Sequence, residues 1–173
     1  MSEQQNDNRL REGYERLLER MQGGANELTW ENLQKDLDDA VEFESELEEY
    51  TKDELALLRA WVERDLKDMR YFMADTGKQV ASWLGIDIDG LSRRVAESLL
   101  SIADRSVVER ERFEEDLEAA RADYCEGEMA APGLMACTHC DAQVMLPTVA
   151  RLEPCHHCGH RYFYRFPSKI IET

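Results

Sequence analysis

The chain has 173 residues and a formal charge of −16, with 34% charged and 43% hydrophobic residues, five cysteines and four histidines. That length accommodates one ordinary domain, or a helical domain with an appendage too small to hold together without a staple. No apolar run is long enough to span a bilayer, the start MSEQQNDNRL lacks the basic-then-apolar pattern of a signal peptide, and the odd cysteine count argues against a disulfide scaffold, so a cytoplasmic protein without membrane contact is expected.

Leu10, Tyr14, Leu17 and Met21 recur at helical spacing and predict a first helix, punctuated by Gly23-Gly24. Trp30, Leu33, Leu37, Val41 and Leu47 predict a second, running through an acidic segment to near Tyr50. Thr51 and Glu54 stand at capping-box spacing, where each side chain satisfies an otherwise unpaired amide, so a third helix starts there. Leu55, Leu58, Val62, Leu66, Met69 and Met73 make it the clearest amphipathic stretch. Gly77, Gly85 and Gly90 predict a break or kink between about residues 76 and 90, although Val80, Trp83 and Leu84 still want burial. The aspartates Asp87 and Asp89 lack the ligand series and closing glutamate of a calcium loop, so Asp89 or Ser92 reads as a helix cap. Leu91, Val95, Leu99 and Ile102, then Phe113, Leu117, Ala120 and Tyr124, continue at helical spacing, with a second cap at Ser106 and Glu109.

Residues 1–125 are thus expected to form an all-α hairpin or bundle of three to four long helices, whose stripes could also seal a coiled-coil homodimer. The acid is concentrated here: residues 1–124 carry 17 Lys and Arg against 32 Asp and Glu, while the remainder is nearly balanced. Such a surface repels phosphate backbones and argues against nonspecific nucleic-acid binding by the helices, but it could suit a basic protein surface. Residues 126–134, EGEMAAPGL, have the composition of a linker.

Residues 135–173 carry the most restrictive motif, the pairs Cys137/Cys140 and Cys155/Cys158 with fourteen residues between them. Two residues between thiolates let one tight turn present both sulfurs, and a second such turn completes a tetrahedron suited to Zn²⁺. With four protein ligands no position remains for a reactive water, so a single zinc is expected to hold structure and not to catalyse. Gly159 follows the last ligand, where a positive φ turns amides back toward the sulfurs, and Asp141 occupies the matching place after Cys140. Ala142 to Leu146 and Arg161 to Phe166 predict the strands of a small β zinc ribbon. His139, His156, His157 and His160 lie in or beside the knuckles; a mixed Cys/His site is the alternative to imidazoles that face water or a partner. Cys125 has no partner at ligand spacing and reads as a packed or free thiol.

Competing chemistries fail on missing residues. Pro154-Cys155-x-x-Cys158 is half of a zinc deaminase signature, but no His-x-Glu or Cys-x-Glu precedes it. A rubrerythrin-like di-iron site needs Glu-x-x-His on facing helices, and residues 1–124 contain no histidine. A thioredoxin-like role needs one CxxC in a βαβ setting. Rubredoxin-type iron bound by the four thiolates stays open.

The order of helices, linker and ribbon resembles the YbeL-like family of small bacterial zinc-ribbon-containing proteins of unknown function. Gly133-Leu134 leading to the first CxxC, the fourteen-residue interval, and Cys155-x-x-Cys-Gly-His160 followed by Phe163, Arg165 and Pro167 carry the resemblance, together with Arg64-Asp65-Leu66 in the helices. It implies a helical domain with a metal-binding ribbon and no assigned activity.

The expected function is a non-enzymatic interaction protein, an acidic helical domain and a structural zinc ribbon each offering a face to a macromolecular partner. A protein partner is favoured, and nucleic acid could be engaged only through the ribbon. Strand alternation sets Arg161, Phe163 and Arg165 on one side and Tyr162, Tyr164 and Phe166 on the other, with the aromatic side expected to pack in the ribbon core. Arg161, Tyr162, Tyr164 and Arg165 are the candidate partner-binding residues, since arginines with exposed rings stack on bases or grip a protein. The alternative is a regulator that binds RNA polymerase or the ribosome, similar in general layout to DksA-type factors, with Asp36, Asp38 and Asp39 as the nearest acidic hairpin tip.

Overall fold

The computed structural model describes residues 2–21, 29–76, 83–84, 93–105 and 124–165. Among these, helices α1 (Glu3–Met21), α2 (Trp30–Glu46), α3 (Lys52–Thr76) and α4 (Arg93–Arg105) precede six short strands. The apolar spacing builds the helices as expected: Leu10, Tyr14, Leu17 and Met21 of α1, Leu33 and Leu37 of α2, and Leu58, Val62, Leu66 and Met69 of α3 all enter one buried core. In that core α1 packs on α2, α3 and α4. Thr29 caps α2 by accepting from the amide of Asn32 at 3.1 Å. Both halves of the capping box at α3 are made: the Glu54 amide donates to Thr51 Oγ1 at 3.1 Å, and the Thr51 amide to Glu54 Oε1 at 2.9 Å. The kink expected over residues 76–90 and the helix expected over residues 106–123 fall mostly outside the described residues; Trp83 and Leu84 are helical and buried, as their composition asked.

The strands are β1 (Tyr124–Cys125), β2 (Met129–Ala130), β3 (Gly133–Cys137), β4 (Gln143–Leu146), β5 (Ala150–Arg151) and β6 (Tyr162–Arg165). They form an antiparallel sheet in the order β1-β6-β3-β4 and a separate β2-β5 pair. In register, Cys137 faces Phe163 and Met135 faces Arg165 across β3 and β6. The metal-bearing region is therefore a sheet with its own core of Tyr124, Met135, Leu146, Leu152 and Phe163.

Two expectations need correction. Tyr124, read as the end of a helix, lies in β1 opposite Phe163, because pairing with β6 and burial of its ring override the helical spacing. Residues 126–134, read as a linker, hold β2 and the start of β3; Met129 and Ala131 are buried in the helical core together with Val149. Short apolar residues between Gly and Pro serve here as packing contacts. Arg151 of β5 adds an ion pair to Asp7 of α1 at 2.6 Å. The ribbon is fastened directly onto the bundle.

Candidate metal centre

Each CxxC occupies the same backbone device. The Asp141 amide donates to the Cys137 carbonyl at 3.0 Å and the Gly159 amide to the Cys155 carbonyl at 2.8 Å. The Cys137 amide in turn donates to Ala142 and the Cys155 amide to His160, both at 2.9 Å. The residue after each second cysteine has positive φ, 60° at Asp141 and 77° at Gly159. Asp141 tolerates that conformation where glycine is usual, and the Tyr164 hydroxyl donates to its carboxylate at 3.1 Å. The two knuckles are thus equally formed in spite of their different residues.

The turns bring the sulfurs of Cys137, Cys140, Cys155 and Cys158 within 4.8 Å of one another. Cys137–Cys158 and Cys140–Cys155 are 3.6 Å apart. A tetrahedron with zinc–sulfur arms of ~2.3 Å has edges of roughly 3.8 Å, so the donor set fits one zinc ion. Amides of Cys158 and then His157 donate toward the Cys155 sulfur and bring that thiol down to about 6, while at Cys140, against the Ala142 amide, burial and the neighbouring sulfurs push the thiol up to about 12. Cys137 and Cys155 are buried, Cys140 is half-buried and Cys158 faces solvent. All four ligands predicted by spacing are brought together.

No histidine joins the cluster. His139, His156 and His157 are exposed; His139 stacks on His160 with ring centroids 5.4 Å apart, and His160 meets Tyr162 at 5.8 Å. Cys125 also lies outside it, its amide held by Glu128 at 2.9 Å.

The candidate partner residues separate. Arg161 is 66% exposed and 3.4 Å from Glu126, Tyr162 is 48% exposed, and Tyr164 is half-buried. Arg165 is a correction: its side chain is fully enclosed, so it is no part of a surface. The expected sidedness of the last strand is inverted, with Phe163 and Arg165 inward and the tyrosines outward, because Phe163 fills the ribbon core and Arg165 meets the helical body. Asp36, Asp38 and Asp39 are likewise no hairpin tip; they lie in the middle of α2, and Asp38 pairs with Arg59 at 2.6 Å.

Arg165 ends in a polar junction that sequence reasoning missed. Its guanidinium reaches the carbonyls of Pro132 at 2.8 Å and Ala131 at 3.2 Å, lies 3.3 Å from Asp65 and 3.6 Å from Asp68, and stacks on the Trp83 ring at 3.9 Å. Asp65, 1% exposed, also accepts from the hydroxyls of Tyr14 and Tyr124 and from the amide of Ala131 at 3.0 Å, and Arg64 lies 3.4 Å away. Burial and then the Asp65 charge push the Tyr14 phenol well above its ordinary value, which keeps it a donor. Burial alone would lower the Arg165 pKa, but Tyr124, Asp65 and Asp68 outweigh it and keep the guanidinium charged. The available signal was position: Leu58, Val62, Asp65, Met69 and Phe72 follow helical spacing, so a carboxylate sits inside the apolar stripe.

A family model described as a zinc-ribbon containing domain matches residues 22–167. No curated protein and no solved structure matches the chain.

Proposed function

We propose that this chain, which belongs to the zinc-ribbon containing domain family DUF1451, is a non-enzymatic interaction protein whose ribbon presents rings and charge to a macromolecular partner. The observation that carries the reading is the row of rings at the metal end, where half-buried His160 lies between exposed His139 and exposed Tyr162, with exposed Arg161 next in the chain. The ribbon's own core uses Phe163 and leaves these rings on the outside. Exposed rings beside an arginine are well suited to contact a partner. Zinc holds this row in shape and takes no part in chemistry. The acidic charge of the chain favours a protein over a nucleic acid.

Capture from the protein's own cells with the tagged full chain tests this. Arg161→Ala combined with Tyr162→Ala is expected to lose the captured partner while the chain still holds one zinc. Unchanged capture would remove this surface from consideration. Enrichment of RNA polymerase or ribosome with the parent chain would support a regulator of transcription or translation as the more specific role.

A further inference from the structure

The metal site and the Asp65 junction share one strand. β6 begins four residues after Cys158, and through β3 its Phe163 stands opposite Cys137. Two residues further along, Arg165 leaves the ribbon and enters the helical body. Both knuckles therefore hold β6, the first through strand pairing and the second through the chain itself. At its other end β6 is held by Asp65 of α3.

We infer that Asp65 is a positioning residue of the zinc centre: by anchoring Arg165 it keeps β6 in register with β3 and so sets how tightly the four cysteines retain their metal. If the guanidinium is released, Asp65 and Asp68 lose the cation they share in a part of the protein closed to solvent, and Asp65 is left with Arg64, 3.4 Å away. If Asp65 is removed from the α3 side, Arg165 is left with Asp68, 3.6 Å away, as its counter-charge and loses the carboxylate that also holds Tyr124 and Ala131, loosening the strand that faces Cys137. The Tyr124 hydroxyl, 2.7 Å from Asp65 and 3.4 Å from Arg165, ties β1 to the same junction on the other side of β6. Residues that orient a metal's ligands from outside the ligand set typically change affinity by about 10- to 100-fold when replaced. The coupling is reciprocal, so metal loss must also loosen α3 around Asp65.

Zinc release from the full, zinc-loaded chain to a coloured chelator is the test. Asp65→Asn and Arg165→Met are each expected to speed release by about tenfold or more, and the double variant no more than the faster single one. Leu37→Ala, a cavity in α2 that leaves the junction alone, is expected to release zinc at the parent rate. Hydrogen exchange is expected to rise around Asp65 after zinc removal, and to rise less along α2. Parent-like release from Asp65→Asn, additive effects in the double variant, or equal acceleration by Leu37→Ala would each overturn the inference. Should the charge variants not fold, Tyr124→Phe decides: it keeps the ring and removes one hydroxyl, several-fold faster release supports the coupling, and an unchanged rate refutes it.

Discussion

Arg165 carries a full positive charge to a place that water does not reach, which is tolerable because carbonyls, a phenol and two carboxylates replace its hydration. Deleting one partner of such a set leaves the other stranded, so Arg165→Met is expected to lower unfolding stability by about 3–5 kcal/mol in urea denaturation. Gly133 belongs to the same junction. Its φ is +149°, and a Cβ there would stand 2.0 Å from the Arg165 guanidinium and 3.0 Å from the Leu84 carbonyl. Gly133→Ala is therefore expected to destabilise by at least about 2 kcal/mol, combining a strained backbone with a displaced arginine, read as a lower urea midpoint at unchanged slope. Neither role was legible in the letters. Arg165 sits among aromatics in a strand whose alternation favours the tyrosine side as the packed one, and only the position of the bundle decides which side is inside. The four cysteines were legible because a shared ion dictates their spacing locally, whatever the rest of the chain does.

The helices were readable for a similar reason, since a repeat near 3.6 residues and a cap are both local signals. At α3 the cap reaches further than its box: Glu54 also receives the Arg9 guanidinium of α1, with Oε1 at 2.9 Å. Arg9 first, and then the Thr51 amide and hydroxyl, hold the Glu54 carboxyl down to about 2. A depressed carboxylate contributes stability that is complete above its unfolded value near 4.5 and disappears as pH falls through about 2. The stability gap between the parent chain and Glu54→Gln should accordingly be constant above about pH 5 and close as the pH approaches 2, measured as the difference between their urea midpoints. Thr51→Ala should cost about 1 kcal/mol through the lost cap. The short strands gave no such signal. Two-residue β1 and β2 are too brief to show alternation, and Tyr124 continued a helical spacing until pairing with β6 claimed it.

Across the whole molecule, helices and ribbon share side chains. Met129, Ala131 and Val149 lie in the core of the bundle, and Asp7–Arg151 and Asp65–Arg165 cross between the two parts. A ribbon this small draws its folding energy from its metal, by ~10–16 kcal/mol in zinc-finger peptides. Stripping the zinc, or replacing a ligand by Cys155→Ser, is expected to unravel the sheet and also to lower the thermal midpoint of the helical signal. With zinc bound, helix loss and metal release should coincide in one transition. Two separated transitions, with the helical midpoint unmoved by chelation, would show that the shared contacts carry little energy. Among the described residues no helix is long and apolar enough to cross a membrane.

The span of 100 residues between Asp65 and Arg165 has a consequence for biosynthesis. At about 5–20 residues per second a ribosome needs roughly 5–20 s to travel from one codon to the other. Throughout that interval the nascent polypeptide holds a carboxylate that has Arg64 beside it but lacks the guanidinium of Arg165, and a message cut short before the Arg165 codon would yield a product unable to complete its interior, open to proteases from the moment of release.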